Sequence, residues 1–317
     1  MKISSSKFYI FIISPVLFGF SYFLISSYLY GDQVVYRKLF EALSSAQLSE
    51  VLDLSRANVS GSEPISAILL WVGASLGFDK DVYISIFNVG LMLGLFYFLR
   101  INRAPWYVIV VVLTNYYLLV LLTGAERLKF AYFFLMLAAC SKGKRRIFFL
   151  AISPLAHFQS VIFLAGIAAG YTSDVVRVFF DRWVIPKKYF YLGAIVALLS
   201  SFFVLFFGQN VFSKAAIYMR SSDGISELFQ VLVLLVFLLL VSRDRLRIFL
   251  ALLPMIAAVF LLGGNRVNMI AFSVVFYFLV LEKRLSSALS LALLSYLSYK
   301  SIGFVKNVIL YGDAYYR

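Results

Sequence analysis

The chain has 317 residues, of which 62% are hydrophobic and 14% charged, and its mean hydropathy is +0.92. Soluble domains sit nearer half apolar and a quarter charged, so a soluble fold is excluded. The formal charge of +14 falls in short stretches between apolar runs, such as KGKRR (142–146), SRDRLR (242–247) and EKR (282–284). That is the positive-inside distribution of a membrane protein and not a nucleic-acid footprint.

In lipid, helices satisfy their own backbone, and the alternation of a β-barrel is absent. The expected class is therefore all-α: a polytopic integral membrane helical bundle of about 9–11 membrane segments, read as one domain over 1–317. Cys140 is the single cysteine and His157 the single histidine, which rules out an intramolecular disulfide, a cysteine metal site and His-rich metal chemistry.

Taken in chain order, Lys2 and Lys7 precede an apolar run over 8–29, read as a retained first span that starts inside. The stretch 31–64 then falls outside. In it Val35, Leu39, Leu43 and Ala46 recur near helical spacing, with Arg37, Lys38, Glu41 and Ser45 elsewhere on the turn. An amphipathic helix on the outer leaflet is expected, with Asp32 and Glu63 as caps and Pro64 in the next first turn. The run 65–78 reaches about 21 Å as helix against a core of about 30 Å, so it dips in and returns.

Further apolar segments follow over 82–99, 106–122, 130–140, 147–169, 189–207, 228–241, 248–262, 267–281 and 285–304. Pro154 makes 147–169 a candidate for a broken segment. Simple alternation puts 173–188 outside while SRDRLR must lie inside, so the two fit only if another segment fails to span, with 147–169 as the candidate.

An ionisable side chain at the centre of a membrane helix costs about 2.5–3.5 kcal/mol, so the polar residues inside or beside apolar runs carry the functional signal. Glu126 and Arg127 open the segment before Phe130, with Glu126 and Lys129 read as interfacial surroundings. Ser153, His157 and Ser160 share one helix face by spacing. Asn265, Arg266 and Asn268 follow a glycine pair. Each has a plain alternative: snorkelling for Arg127, a satisfied interhelical hydrogen bond for His157, a polar turn for Asn265 and Arg266.

Jointly, the expected topology puts Asp32, Glu63, Arg127 and Arg266 near one external face. Two arginines and two carboxylates there suit an anionic lipid-linked substrate, because arginine binds phosphate bidentately and stays charged when desolvated. A diphosphate leaving group needs such a clamp, and a buried carboxylate or histidine can take a proton from an attacking hydroxyl.

The ordered pieces GDQVVYRKLF (31–40), SEP (62–64), AERLKFA (125–131), LAHFQSVIFL (155–164) and GGNRVNMIAF (263–272) resemble the EpsG-like branch of the Wzy-type polysaccharide polymerases. Leu128 and Gln33 depart from the pattern, standing where it has a glutamine and an aromatic. The resemblance implies a GT-C-like glycosyltransferase of the bacterial inner membrane with its site facing the periplasm or outside. It would polymerise undecaprenyl-diphosphate-linked oligosaccharide repeats into O-antigen, capsule or exopolysaccharide.

On that reading Arg127 and Arg266 hold the diphosphate, and Glu63 or Asp32 takes the acceptor proton. His157 orients phosphate or acceptor, and Tyr36, Ser160 and Asn265 contact substrate. No cofactor is required, although paired acids could bind a divalent cation. Implied partners are the lipid bilayer, a Wzx-type flippase and a chain-length regulator, with no nucleic acid. The alternatives are a lipid-linked oligosaccharide flippase or transporter, an O-antigen ligase, and a membrane acyltransferase acting on surface sugars.

Overall fold

A computed structural model describes residues 5–59, 63–183, 224–262 and 264–314, and these are helical with no strand among them. The expected segment 189–207 lies outside the described residues. The helices are α1 (Ser5–Ser27), α2 (Asp32–Leu43), α3 (Val51–Val59), α4 (Pro64–Ser75) and α5 (Lys80–Ile101). There follow α6 (Trp106–Leu113), α7 (Tyr116–Thr123), α8 (Glu126–Cys140), α9 (Gly143–Ala156), α10 (Ser160–Tyr171) and α11 (Ser173–Arg182). The last four are α12 (Gly224–Val241), α13 (Arg245–Leu262), α14 (Gly264–Leu281) and α15 (Ala288–Tyr311). Among them three apolar helices are long enough to cross a membrane: α5, α15, and the run Ser160–Arg182 that joins α10 to α11. The number rises to five if two bent pairs each count as one span.

The chain divides into two compact units, Met1–Ser160 with Ser290–Arg317, and Val161–Leu289. In the first, α5 packs against α1 and α8, α8 against α9, and α2 to α4 form a small layer that reaches α9 through α4. Small residues allow the α5–α8 approach: a Cβ at Gly90 or Gly94 would lie 2.7 Å from the Phe133 ring or 2.6 Å from Met136. Without a hydrophobic force between helices in lipid, such close packing and interhelical polar bonds hold the bundle. Asn88 supplies the second kind, donating from Nδ2 to Ser21 Oγ on α1 at 2.8 Å and to the Leu122 carbonyl of α7 at 2.9 Å.

Several expectations change here. The run 106–122 is not one helix, because α6 and α7 bend by 48° where Asn115 caps the second helix by accepting from Tyr117 N–H. The expected α2 stripe is shifted: Leu39 and Leu43 are buried, but Val35 is exposed, and Gln33, Tyr36 and Phe40 complete the buried face. That face packs into a core with Ala67 and Leu70 of α4, Ile84 of α5 and Phe130 of α8. It is therefore occupied by protein. The segment 147–169 does break, but after Ala156 and not at Pro154, which sits inside α9. His157 is extended (φ −160°, ψ 122°), so Ser153, His157 and Ser160 do not share a continuous helix face.

In the second unit α12, α13 and α14 pack on one another and α11 on α13. Gly166 and Gly170 bring their helix against Ala251, Met255 and Phe278. Arg177 pairs with Asp244, and Arg247 bonds Asp174 at 3.2 Å, so Ser173–Arg182 and the SRDRLR stretch lie at one end of this unit. Glu282 joins them by accepting from Ser242 Oγ at 2.6 Å and from the Arg243 amide at 2.9 Å.

Candidate functional site

Glu63 is the N-cap residue of α4, yet its side chain accepts no cap hydrogen bond. The expectation of a capping carboxylate fails because stronger partners take it. Its backbone carbonyl serves the helix, accepting from Ala67 N–H, while the carboxylate turns inward and is 2% exposed. Oε2 accepts from Arg127 Nη1 at 2.7 Å, and Oε1 lies 2.8 Å from His157 Nδ1. Arg127 Nε donates to the Tyr36 hydroxyl at 3.0 Å. Four residues from α2, the start of α4, the first turn of α8 and the α9–α10 break thus meet in one chain of bonds.

A carboxylate only accepts, so Nδ1 of His157 carries its proton toward Glu63. The other ring nitrogen, Nε2, lies 3.2 Å from Gln159 Oε1. Arg127 keeps Nη2 without a hydrogen-bond partner among the described residues. With side-chain exposures of 11% for Arg127 and 9% for His157, this is a dry site. Burial pushes the Tyr36 phenol up, against the downward pull of Arg127. The phenol stays neutral and keeps its own proton to donate.

A second set of charges adjoins it through Glu126, next to Arg127 in the chain and felt electrostatically by Tyr36, and here the expectation of interfacial surroundings is overturned. Glu126 and Lys129, one turn apart on α8, are both fully buried, and Lys129 Nζ donates to Glu126 Oε2 at 2.9 Å. Lys80 at the start of α5 reaches Glu126 Oε1 at 3.2 Å and Asp81 at 3.4 Å. Gln33 of α2 closes the group, donating to Glu126 Oε1 at 2.9 Å and to the Thr123 carbonyl, and accepting from Lys80. Arg37 extends it outward through Asp81 at 3.1 Å.

Arg37, Lys80, Arg127 and Lys129 face Glu63, Asp81 and Glu126 across the two sets. Asp32, exposed at the start of α2, adds a fourth carboxylate whose charge reaches Tyr36. Buried charges are retained only when paired and hydrogen-bonded, and here Glu126 and Asp81 are each shared between two cations while Glu63 is shared between Arg127 and His157.

Of the residues expected from sequence, Tyr36, Glu63, Arg127 and His157 are brought together. Ser160 lies beside them in the chain: its amide bonds the His157 carbonyl at 3.0 Å, and its hydroxyl is buried without a hydrogen-bond partner. Asp32 is exposed in the first turn of α2 and its side chain makes no hydrogen bond to this group. The Asn265 and Arg266 side chains lie outside the described residues. Sequence reading missed Gln33, Lys80 and Gln159. The signal for Lys80 was a lysine placed straight after the Asp79 helix cap, on the first turn of an apolar helix. Among the described residues no three His, Cys, Asp or Glu side chains converge as a metal site. Compared with family models, curated proteins and solved structures, the chain finds no match.

Proposed function

We propose that the chain is a membrane glycosyltransferase of the EpsG-like, Wzy type that extends a polysaccharide from polyprenyl-diphosphate-linked repeats. One observation carries the reading. Tyr36, Glu63, Arg127 and His157, which the resemblance singles out on four separate stretches of sequence, are joined by direct hydrogen bonds.

The geometry revises the roles. Glu63 is held by the Arg127 guanidinium on one oxygen and by His157 Nδ1–H on the other, so both carboxylate oxygens are engaged and it positions and does not act as base. With Nδ1–H directed at Glu63, neutral His157 accepts at Nε2, from the Gln159 amide turned to present its NH2 and, in the reaction, from the acceptor sugar hydroxyl that takes its place. A carboxylate that fixes the tautomer and stabilises the developing imidazolium is a recurring general-base device. Arg127 is locked on two sides and presents Nη2 to the diphosphate oxygens, where negative charge grows as the glycosidic bond to phosphate breaks. The adjoining Lys80–Glu126–Lys129 group anchors the first turn of α8, on which Arg127 stands, without touching substrate.

The reaction then forms a bond from acceptor oxygen to the anomeric carbon and breaks the bond from that carbon to diphosphate. The hydroxyl proton goes to His157, and polyprenyl diphosphate leaves with the electron pair. A strain lacking the chain tests this directly. Its surface polysaccharide should collapse from a ladder to a single repeat on a gel, and restoring the wild-type chain but not Arg127→Ala should return the ladder. A normal ladder in the deletion strain would overturn the proposal; long chains left on the polyprenyl carrier would indicate a ligase.

A further inference from the structure

Away from the Glu63 cluster, the first unit carries an apolar groove of about 810 Å³. Val16 and Phe20 of α1, Leu113 and Leu119 of α6 and α7, and Ile302 and Val305 of α15 form its walls. The groove follows the bend between α6 and α7, where Thr114 Oγ1 bonds Ser298 Oγ at 3.2 Å. Its volume lies within the range of about 300–1,000 Å³ in which small ligands bind. On its outer rim Val16 and Ile302 are more than 60% exposed, so the groove opens sideways.

The lining is polarised along α15. Among the described residues Lys306 is the groove's only charged lining residue, and no ion pair or hydrogen bond engages its ammonium. Lys306 stands six residues before Gly312, about 9 Å along the helix. The Gly312 carbonyl accepts from the Leu29 and Tyr30 amides at 2.9 Å, so Lys306 sits near the end where α1 and α15 both stop. Ser298 is eight residues deeper, about 12 Å. The groove therefore has a cation near a helix end and hydrocarbon walls running inward from it. A lysine in that position extends its stem along apolar surface and puts its charge at headgroup level.

We propose that this groove binds one acyl chain of an anionic glycerophospholipid whose phosphate is held by Lys306. Walls without an acidic residue, and a single cation with no protein partner among the described residues, complement a net negative headgroup over a zwitterionic one. One lysine at a membrane surface corresponds to a preference of about fivefold. The inference does not depend on the proposed glycosyltransferase activity.

Native mass spectrometry of the full chain in detergent tests it, with phosphatidylglycerol, phosphatidylethanolamine of the same acyl chains, and a polyprenyl phosphate as probes. The wild type should retain one phosphatidylglycerol about fivefold in preference to phosphatidylethanolamine. Lys306→Gln should erase the preference while keeping the phosphatidylethanolamine adduct, and Val305→Trp should reduce both adducts by filling the groove. Should Val305→Trp fail to elute as a monodisperse species, the Lys306 comparison still decides. Equal retention of the two phospholipids by wild type, an unchanged preference in Lys306→Gln, or polyprenyl phosphate outcompeting phosphatidylglycerol would each overturn the proposal.

Discussion

The Arg127 guanidinium donates to the Glu63 carboxylate at 2.7 Å across 64 residues of chain, with both side chains nearly closed to solvent. The pair fixes the direction of the arginine, because Tyr36 takes its Nε on the other side. Arg127→Lys keeps the charge and loses the planar fork. We expect chain extension to fall by about 10²-fold or more, measured as repeat transfer by the purified protein, with the circular dichroism spectrum unchanged. Activity within a fewfold of wild type would remove Arg127 from the clamp.

Glu63→Gln should act on His157 as well as on Arg127. The amide carries no charge to stabilise an imidazolium, so kcat should drop by about 10²–10⁴. His157→Gln should lower kcat by a comparable factor with little change in KM. The double variant should be no worse than the more severe single one, since the two groups work as a unit. Multiplicative losses would separate the two residues.

Glu126 tests the supporting charges. Replacing it by alanine leaves Lys80 and Lys129 buried with their shared counterion gone, a change that costs about 3–5 kcal/mol. The thermal midpoint in detergent should drop well below that of wild type. Pairing Glu126→Leu with Lys129→Met removes two opposite charges together and should recover part of the loss. An unaltered midpoint for the single variant would show that water reaches these lysines.

Side of labelling separates two topologies. In a Cys140→Ser background, Arg177→Cys and Arg243→Cys should react with an impermeant thiol reagent from the same side of intact cells or inverted vesicles. Asp174, Arg177, Asp244 and Arg247 bridge the two stretches, so opposite-side labelling would contradict the arrangement of the second unit.

Much of the helical architecture was legible from hydropathy alone, since apolar runs and basic stretches follow from the solvent itself. The break in 147–169 was signalled by Pro154, but its place was not. Proline removes one donor within the helix, whereas the turn is fixed three residues later by His157 reaching Glu63, a contact 94 residues away in sequence. The α6–α7 bend escaped notice because Asn115 is one polar residue in an apolar run, and capping depends on backbone geometry that spacing does not encode. At the site, residue types pointed to Arg127, Glu63 and His157 because charge is costly in lipid. Glu126 and Lys129 were misjudged by the same reasoning: next to a membrane boundary, charge is ordinarily solvated, and only the partner Lys80 on another helix reveals that they are inside.

The salt link between Glu126 and Lys129 also bears on how the chain is made. As a one-turn pair on α8, they enter the lipid as an internally neutralised unit before any other helix is required. Lys80 is different: its ammonium is emitted earlier from the ribosome and must wait for α8 to deliver Glu126. The order of synthesis therefore leaves Lys80 with Asp81 alone, and without its second carboxylate, for some 46 residues. Arrested nascent chains ending before and after Glu126 should consequently differ in how firmly the start of α5 is seated, which site-specific crosslinking to lipid or insertase can read.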